Sequence, residues 1–228
     1  MNIAIIPARG GSKRLPRKNL LEFAGKPMIA HAIETCQRSA SIKRVYVSTE
    51  DEEIASVSQQ FGAEVPFLRP KSLADDFTTI VKVMGHFLRE LDERGCTVQN
   101  ACCVFACTPL LRAETIDKTF EMFVESDFGF AYPVVQYSHP IQRSMRMARD
   151  GGMSYLFPEN ELTRTQDLEA TYHDAGQFYW GEKDRWISSE RIHSSGLGIE
   201  VEALSTVDID TMGDLSLAQR LYGQKGSL

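Results

Sequence analysis

The chain of 228 residues contains no apolar run near the ~20 residues that a membrane span requires. It opens directly into Met1-Asn2-Ile3-Ala4-Ile5-Ile6, with no basic lead-in and no apolar segment of signal-peptide length. Histidine is scarce: the five residues form no His-x-x-x-His pair, no metalloprotease pattern and no serine-hydrolase elbow. The five cysteines are an odd number, and the four between Cys96 and Cys107 lack the paired spacing of a zinc site, which points to free thiols in a reducing compartment. Neither Gly-x-x-x-x-Gly-Lys-Ser/Thr nor Gly-x-Gly-x-x-Gly occurs, so an ordinary P-loop ATPase or dehydrogenase is disfavoured. An excess of basic charge is missing as well: 25 Lys and Arg stand against 31 Asp and Glu, a net charge of −6. Together these absences predict a cytoplasmic protein with no membrane segment and no nucleic-acid partner.

What remains is ordinary globular composition, 43% apolar and 25% charged, in a length that fits one domain, here taken as 1–228. Short apolar runs alternate with amphipathic ones. Strands are expected over 3–8, 45–49, 64–68, 101–107 and 128–135, and helices over 27–36, 50–61, 78–94 and 113–125. Pro27 is expected in the first helical turn, and residues 75–79 as the cap of the third helix. This β-α-β-α order predicts an α/β fold, a mostly parallel sheet with helices on both faces in a three-layer α/β/α arrangement. The rhythm breaks at 136–173, a polar stretch with a hairpin turn expected at Gly151-Gly152. It reads as a small inserted arm that covers the site or makes a dimer contact. Strands over 176–180 and 198–202 and a helix over 214–222 complete the pattern.

The strongest local signal is Ile6-Pro7-Ala8-Arg9-Gly10-Gly11-Ser12-Lys13-Arg14-Leu15-Pro16-Arg17-Lys18-Asn19. It follows the first strand, and in open α/β sheets ligands bind beyond the carboxyl ends of strands. Between positions 9 and 18 it carries five cations and no acid. Gly10 and Gly11 let the backbone approach an anion closely, and Arg and Lys neutralise phosphate oxygens as a planar fork and a point charge. The expected ligand is a small polyanion. Near the other end, Asp208-Ile209-Asp210 would project two carboxylates from one face if extended, a set that suits Mg²⁺.

These motifs, with Gly25-Lys26-Pro27-Met28-Ile29, Leu68-Arg69-Pro70 and Val207-Asp208-Ile209-Asp210-Thr211, resemble the cytidylyltransferases that activate nine-carbon acidic sugars, the CMP-sialic acid synthetases and their relatives. Arg164-Thr165-Gln166-Asp167-Leu168 and the stretch from Tyr172 to Trp180 resemble the pseudaminic acid branch. The sialic acid branch has Gln-Pro-Thr-Ser-Pro-Leu-Arg where this chain has Phe105-Ala106-Cys107-Thr108-Pro109-Leu110-Leu111-Arg112, a departure that points away from sialic acid itself. The resemblance implies a nucleotide-diphospho-sugar transferase-like fold. It implies CTP and a nonulosonic acid as substrates, transfer of CMP with release of pyrophosphate, and Mg²⁺ as cofactor; a homodimer is expected through 136–173. It also implies Arg9, Lys18, Asp208 and Asp210 as catalytic residues, with Asp208 and Asp210 on the metal. The backbone of Ala8, Gly10, Gly11 and Ser12, with Arg9, Lys18, Asn19 and Arg69, would hold the nucleotide, and Arg164, Asp174, Gln177 and Tyr179 the sugar. The same chemistry on sialic, legionaminic or octulosonic acid, a non-catalytic nucleotide or sugar sensor, and a glycosyltransferase remain as alternatives.

Overall fold

Four consecutive residues of the first strand, Ile3 to Ile6, are fully buried, and their side chains alternate between two separate cores. That alternation follows from the two-residue period of a strand and requires a covered surface on each face of the sheet. In this computed structural model, which describes residues 1–189 and 191–224, the elements run β1 (Asn2–Pro7), β2 (Glu22–Phe23), β3 (Lys26–Pro27), α1 (Met28–Arg38), β4 (Arg44–Ser48), α2 (Glu52–Gln60), α3 (Ile80–Glu93), β5 (Asn100–Val104), α4 (Ala113–Val124) and β6 (Phe130–Gln136). They continue as β7 (Met145–Met147), β8 (Met153–Tyr155), β9 (Tyr172–Asp174), β10 (Phe178–Glu182), α5 (Lys183–Ser188), β11 (Gly196–Glu200) and α6 (Met212–Gln224).

The main sheet has the order β11-β6-β10-β5-β1-β4, with β9 beside β6. Parallel pairing joins β1 to β4 and β5, and β11 to β6, whereas β10 and β9 run antiparallel to their neighbours. Ala4, Ile6, Val47 and Trp180 face α1, α2 and α4, while Ile3, Ile5, Tyr46 and Cys103 face α3 and α5. The three-layer architecture and mostly parallel sheet are therefore as expected. The expected strand over 64–68 is reduced to one parallel bridge, Tyr46 to Glu64, because Pro66 and Pro70 withhold ladder donors. Pro27 ends β3 as the N-cap of α1 and does not enter its first turn. Helix α5 is too short to leave a readable period.

The stretch 136–173, expected as an inserted arm, begins at the last residue of β6 and ends within β9, and between them it carries a small hairpin outside the main sheet. Its β7–β8 hairpin turns at Gly151, whose φ of +87° lies in the left-handed region that glycine permits. The arm then returns to the sheet through β9. Between β9 and β10 the chain breaks at Gly176, φ +64°, and that break faces the carboxyl end of β5. A third, smaller core of Leu15, Phe23, Met28, Ile209, Leu215 and Ala218 fastens the segment after β1 to the segment before α6. Among the described residues no helix is long and apolar enough to cross a membrane.

Candidate active site

Beyond the carboxyl ends of β1 and β5 lies a cleft of about 570 Å³. Its lining joins three distant stretches: Arg9, Ser12, Lys13, Arg14, Lys18 and Asn19 from the basic loop, Phe105 to Cys107 after β5, and Asp208 and Asp210 before α6. Leu15 and Ile209 explain the convergence. Both side chains are buried in the shared small core, and burying Ile209 leaves its neighbours Asp208 and Asp210 to border the cleft. No ladder is assigned to 206–210, yet the alternation expected of an extended segment holds.

The contacts inside the cleft are ionic. Lys18 Nζ donates to Asp210 Oδ1 at 3.1 Å and to the carbonyl oxygen of Ile209 at 2.7 Å. Arg14 lies 2.7 Å from Asp210 Oδ2. Arg9 donates to Asp76 Oδ1 at 2.7 Å and to the carbonyl of Asp75 at 3.1 Å, and Lys13 pairs with the other oxygen of Asp76. Those two cations hold the Asp76 carboxyl below the ordinary range, Lys13 contributing most. Asp208 goes the other way: desolvation and then repulsion from Asp210 raise it, against Lys18 and Arg14. Four cations and three carboxylates thus share the cleft.

The loop itself is braced. Arg17 adopts left-handed backbone, φ 54°, and its guanidinium reaches Asp51 and Glu53 at the start of α2. Asn19 Nδ2 donates to the Arg9 carbonyl at 2.9 Å, and its Oδ1 accepts from the Cys107 thiol at 3.2 Å. Burial pushes that thiol up to about 12, opposed by Lys18. Cys107 is accordingly a protonated donor and not a nucleophile. The N–H groups of Ala8, Gly10 and Ser12 are committed to Ser48, Glu50 and Gly10, which narrows the expected backbone cradle to Gly11 among the described residues.

A second cavity of about 290 Å³ adjoins the first, sharing Pro7, Arg9, Asp76 and Phe105, and Arg69 lines it. The expected sugar residues are placed differently. Of that segment Gly176 borders the cleft. Tyr179 is buried and donates to Asp174 Oδ2, which His193 also meets at 3.1 Å; Asp174 Oδ1 accepts from Gly176 N–H at 2.8 Å. Gln177 Nε2 donates to the Ser205 carbonyl at 2.8 Å. These three side chains hold the wall in place. Arg164 is not brought to the cleft within one chain: it is exposed on the arm and pairs with Asp167 at 2.7 Å. The reading of 75–79 as cap residues holds for Thr79, which accepts from Lys82 N–H, and fails for Asp76, whose partners are the site cations. Asp76, Glu50 and Cys107 left no local signal, since each acts on a segment distant in the chain.

Two carboxylates fit the Mg²⁺ expectation. Among the described residues no group of three or more His, Cys, Asp or Glu is placed to hold a metal. The protein's share is therefore two carboxylates that repel each other, Asp210 being paired with Lys18 and Arg14, a set that suits a hydrated cation shared with phosphate.

A three-layer α/β fold with a cationic glycine loop after its first strand and a carboxylate pair across the cleft defines a nucleotidyltransferase. The family model described as cytidylyltransferase matches residues 3–222. The chain is 37% identical to a pseudaminic acid cytidylyltransferase of Campylobacter jejuni, over 97% of this chain and 96% of that one. It is likewise 37% identical to a CMP-N,N'-diacetyllegionaminic acid synthase of Legionella pneumophila, over 96% and 95%. A CMP:2-keto-3-deoxy-manno-octonic acid synthetase solved with CTP shares the fold, with a TM-score of 0.73 at 18% identity, over 98% of this chain and 99% of that one. The chain belongs to the cytidylyltransferase family.

Proposed function

We propose that the protein transfers CMP from CTP to the anomeric hydroxyl of a nine-carbon acidic sugar of the pseudaminic acid type. The hydroxyl oxygen attacks the α-phosphorus, the bond from that phosphorus to the bridging oxygen breaks, pyrophosphate leaves, and the hydroxyl proton passes to solvent. The observation that carries the reading is the single cleft in which Lys18 and Asp210 stand 3.1 Å apart, with Arg9, Arg14 and Asp208 around them. Nucleotidyl transfer needs positioning and charge neutralisation more than covalent help from the protein, and these residues supply both. Lys18 takes the α-phosphate, Arg9 the outer phosphates, and Arg69 in the adjoining cavity the nucleoside. Named relatives acting on pseudaminic and legionaminic acids support the acceptor class.

Asp208 and Asp210 would hold Mg²⁺. Bound there, the metal would stabilise α-phosphate charge and acidify the attacking hydroxyl. The charge balance supports this: a triphosphate adds about four negative charges to a cleft whose four cations already face three carboxylates. Chelation with EDTA is expected to stop turnover, and Mg²⁺ to restore it.

The arm exposes Met145, Met147, Met153, Leu156 and Leu162, the last at 96%. These exposed apolar side chains support a homodimer built on 136–173, in which Arg164 would reach the partner's cleft.

The test is pyrophosphate release with CTP against purified nonulosonic acids. Turnover is expected with pseudaminic acid, and CTP is expected over UTP, ATP and GTP. Release with none of the acids, or a preference for UTP, would overturn the reading.

A further inference from the structure

Glu50 is a carboxylate placed where an anion site has least use for one. It lies two residues past β4 at the carboxyl end of the sheet, with its side chain 15% exposed. Both oxygens are committed: Oε1 accepts from the Gly10 backbone N–H at 2.8 Å, and Oε2 accepts from Arg69 Nη2 at 2.9 Å. Arg69 is 4% exposed, and its Nε has no hydrogen-bond partner among the described residues. Its backbone N–H is held by the Thr49 carbonyl at 2.7 Å. Gly10 packs on the same turn so closely that a Cβ there would fall 2.4 Å from Asp51 Oδ2.

Neutralising Arg69 needs only one carboxylate oxygen. The second is spent on an N–H of the very loop that borders the phosphate end of the cleft. A charged acceptor holds each donor more strongly than a neutral one and fixes its direction, and the Glu50–Arg69 pair adds no net charge beside the triphosphate. We propose that Glu50 is a positioning residue that locks Arg69 and the Gly10 turn into one unit, so that the nucleoside and phosphate ends of CTP meet a preset spacing. The proposal rests on CTP as the donor.

A glutamine cannot replace it, because its amide offers one acceptor oxygen and turns a second donor toward a donor. The experiment is equilibrium binding of CTP by calorimetry to the wild-type protein, Glu50→Gln, Arg69→Ala and the double variant, with the melting temperature of each. Glu50→Gln is expected to weaken CTP at least about tenfold while binding of the acceptor acid is unchanged, and the double variant to lose less than the product of the two single losses. CTP bound by Glu50→Gln as tightly as by wild type, or more tightly, would overturn the coupling, as would losses that multiply in the double variant. Should Glu50→Gln fail to fold, Glu50→Asp replaces it: one methylene shorter, it keeps the charge but spans only one donor, and the same loss is expected. A wild-type protein that binds no CTP would overturn the donor assignment and the coupling with it, whereas wild-type binding with an unweakened Glu50→Gln overturns the coupling alone.

Discussion

Lys18 and Asp210 are separated by 192 positions in the chain and 3.1 Å in space, and each had its own signature: a lysine in an acid-poor glycine loop and an aspartate in Asp-x-Asp. Residue types that chemistry demands at fixed local spacing are legible in a single sequence. Residues that act by reaching across the fold are not. Asp76 reads as a helix cap and is an ion-pair partner of Arg9 and Lys13, and the bonds of Tyr179 to Asp174 and of Gln177 to the Ser205 carbonyl left no mark in the sequence either. Two outcomes follow at this scale. Lys18→Ala should lower kcat by about 10²-fold or more with a smaller change in KM for CTP, as expected when one charge-stabilising donor is lost from the reacting centre; steady-state kinetics decides, and an unchanged kcat removes Lys18 from the α-phosphate. Asp210→Ala should abolish measurable turnover while leaving the circular dichroism spectrum intact; normal activity with Mg²⁺ would refute its metal role.

Helix α2 shows how an element serves the site. Asp51 is its N-cap, accepting from the N–H groups of Glu53 and Ile54 at 3.0 Å each, and its carboxylate also holds Arg17 of the basic loop. The bond from Arg17 is the largest influence depressing the Asp51 carboxyl below its ordinary value. A carboxyl depressed in the folded state contributes stability that is complete above its unfolded value of about 3.9 and is lost as pH falls through the folded one. Asp51→Ala should therefore cost about 1–2 kcal/mol at neutral pH, and the gap in melting temperature from wild type should narrow in acid; a gap independent of pH would dissociate the cap from the charge. The small core beneath the cleft makes a parallel case. Ile209→Ala should cost about 2–4 kcal/mol, and saturating CTP should recover part of the lost melting temperature. Elements with a clear period, such as α3 with its seven buried positions, were readable, whereas the strand expected at 64–68 was undone by Pro66 and the nearby Pro70, and α5 was too short to announce itself.

At the scale of the molecule, the alternation of strands and helices gave the layers and the parallel core, because each strand between two helical layers must be apolar on both faces. The antiparallel insertion of β10 between β5 and β6 was not readable, since a buried strand has the same pattern in either direction. The arm was visible as a break in that rhythm, and its exposed methionines and Leu162 carry a prediction of their own: Met147→Glu with Leu162→Glu should convert a dimer to a monomer in light scattering, and a wild-type monomer would contradict the arm's assigned role. Everything else depends on two distant segments meeting one nucleotide. The most direct measurement is a crystal structure with CTP and Mg²⁺ bound. The triphosphate should lie between Arg9 and Lys18 on one side and Asp208 and Asp210 on the other, with the nucleoside toward Arg69. A triphosphate seated in a different cavity, touching the basic loop or the aspartates but not both, would contradict the account.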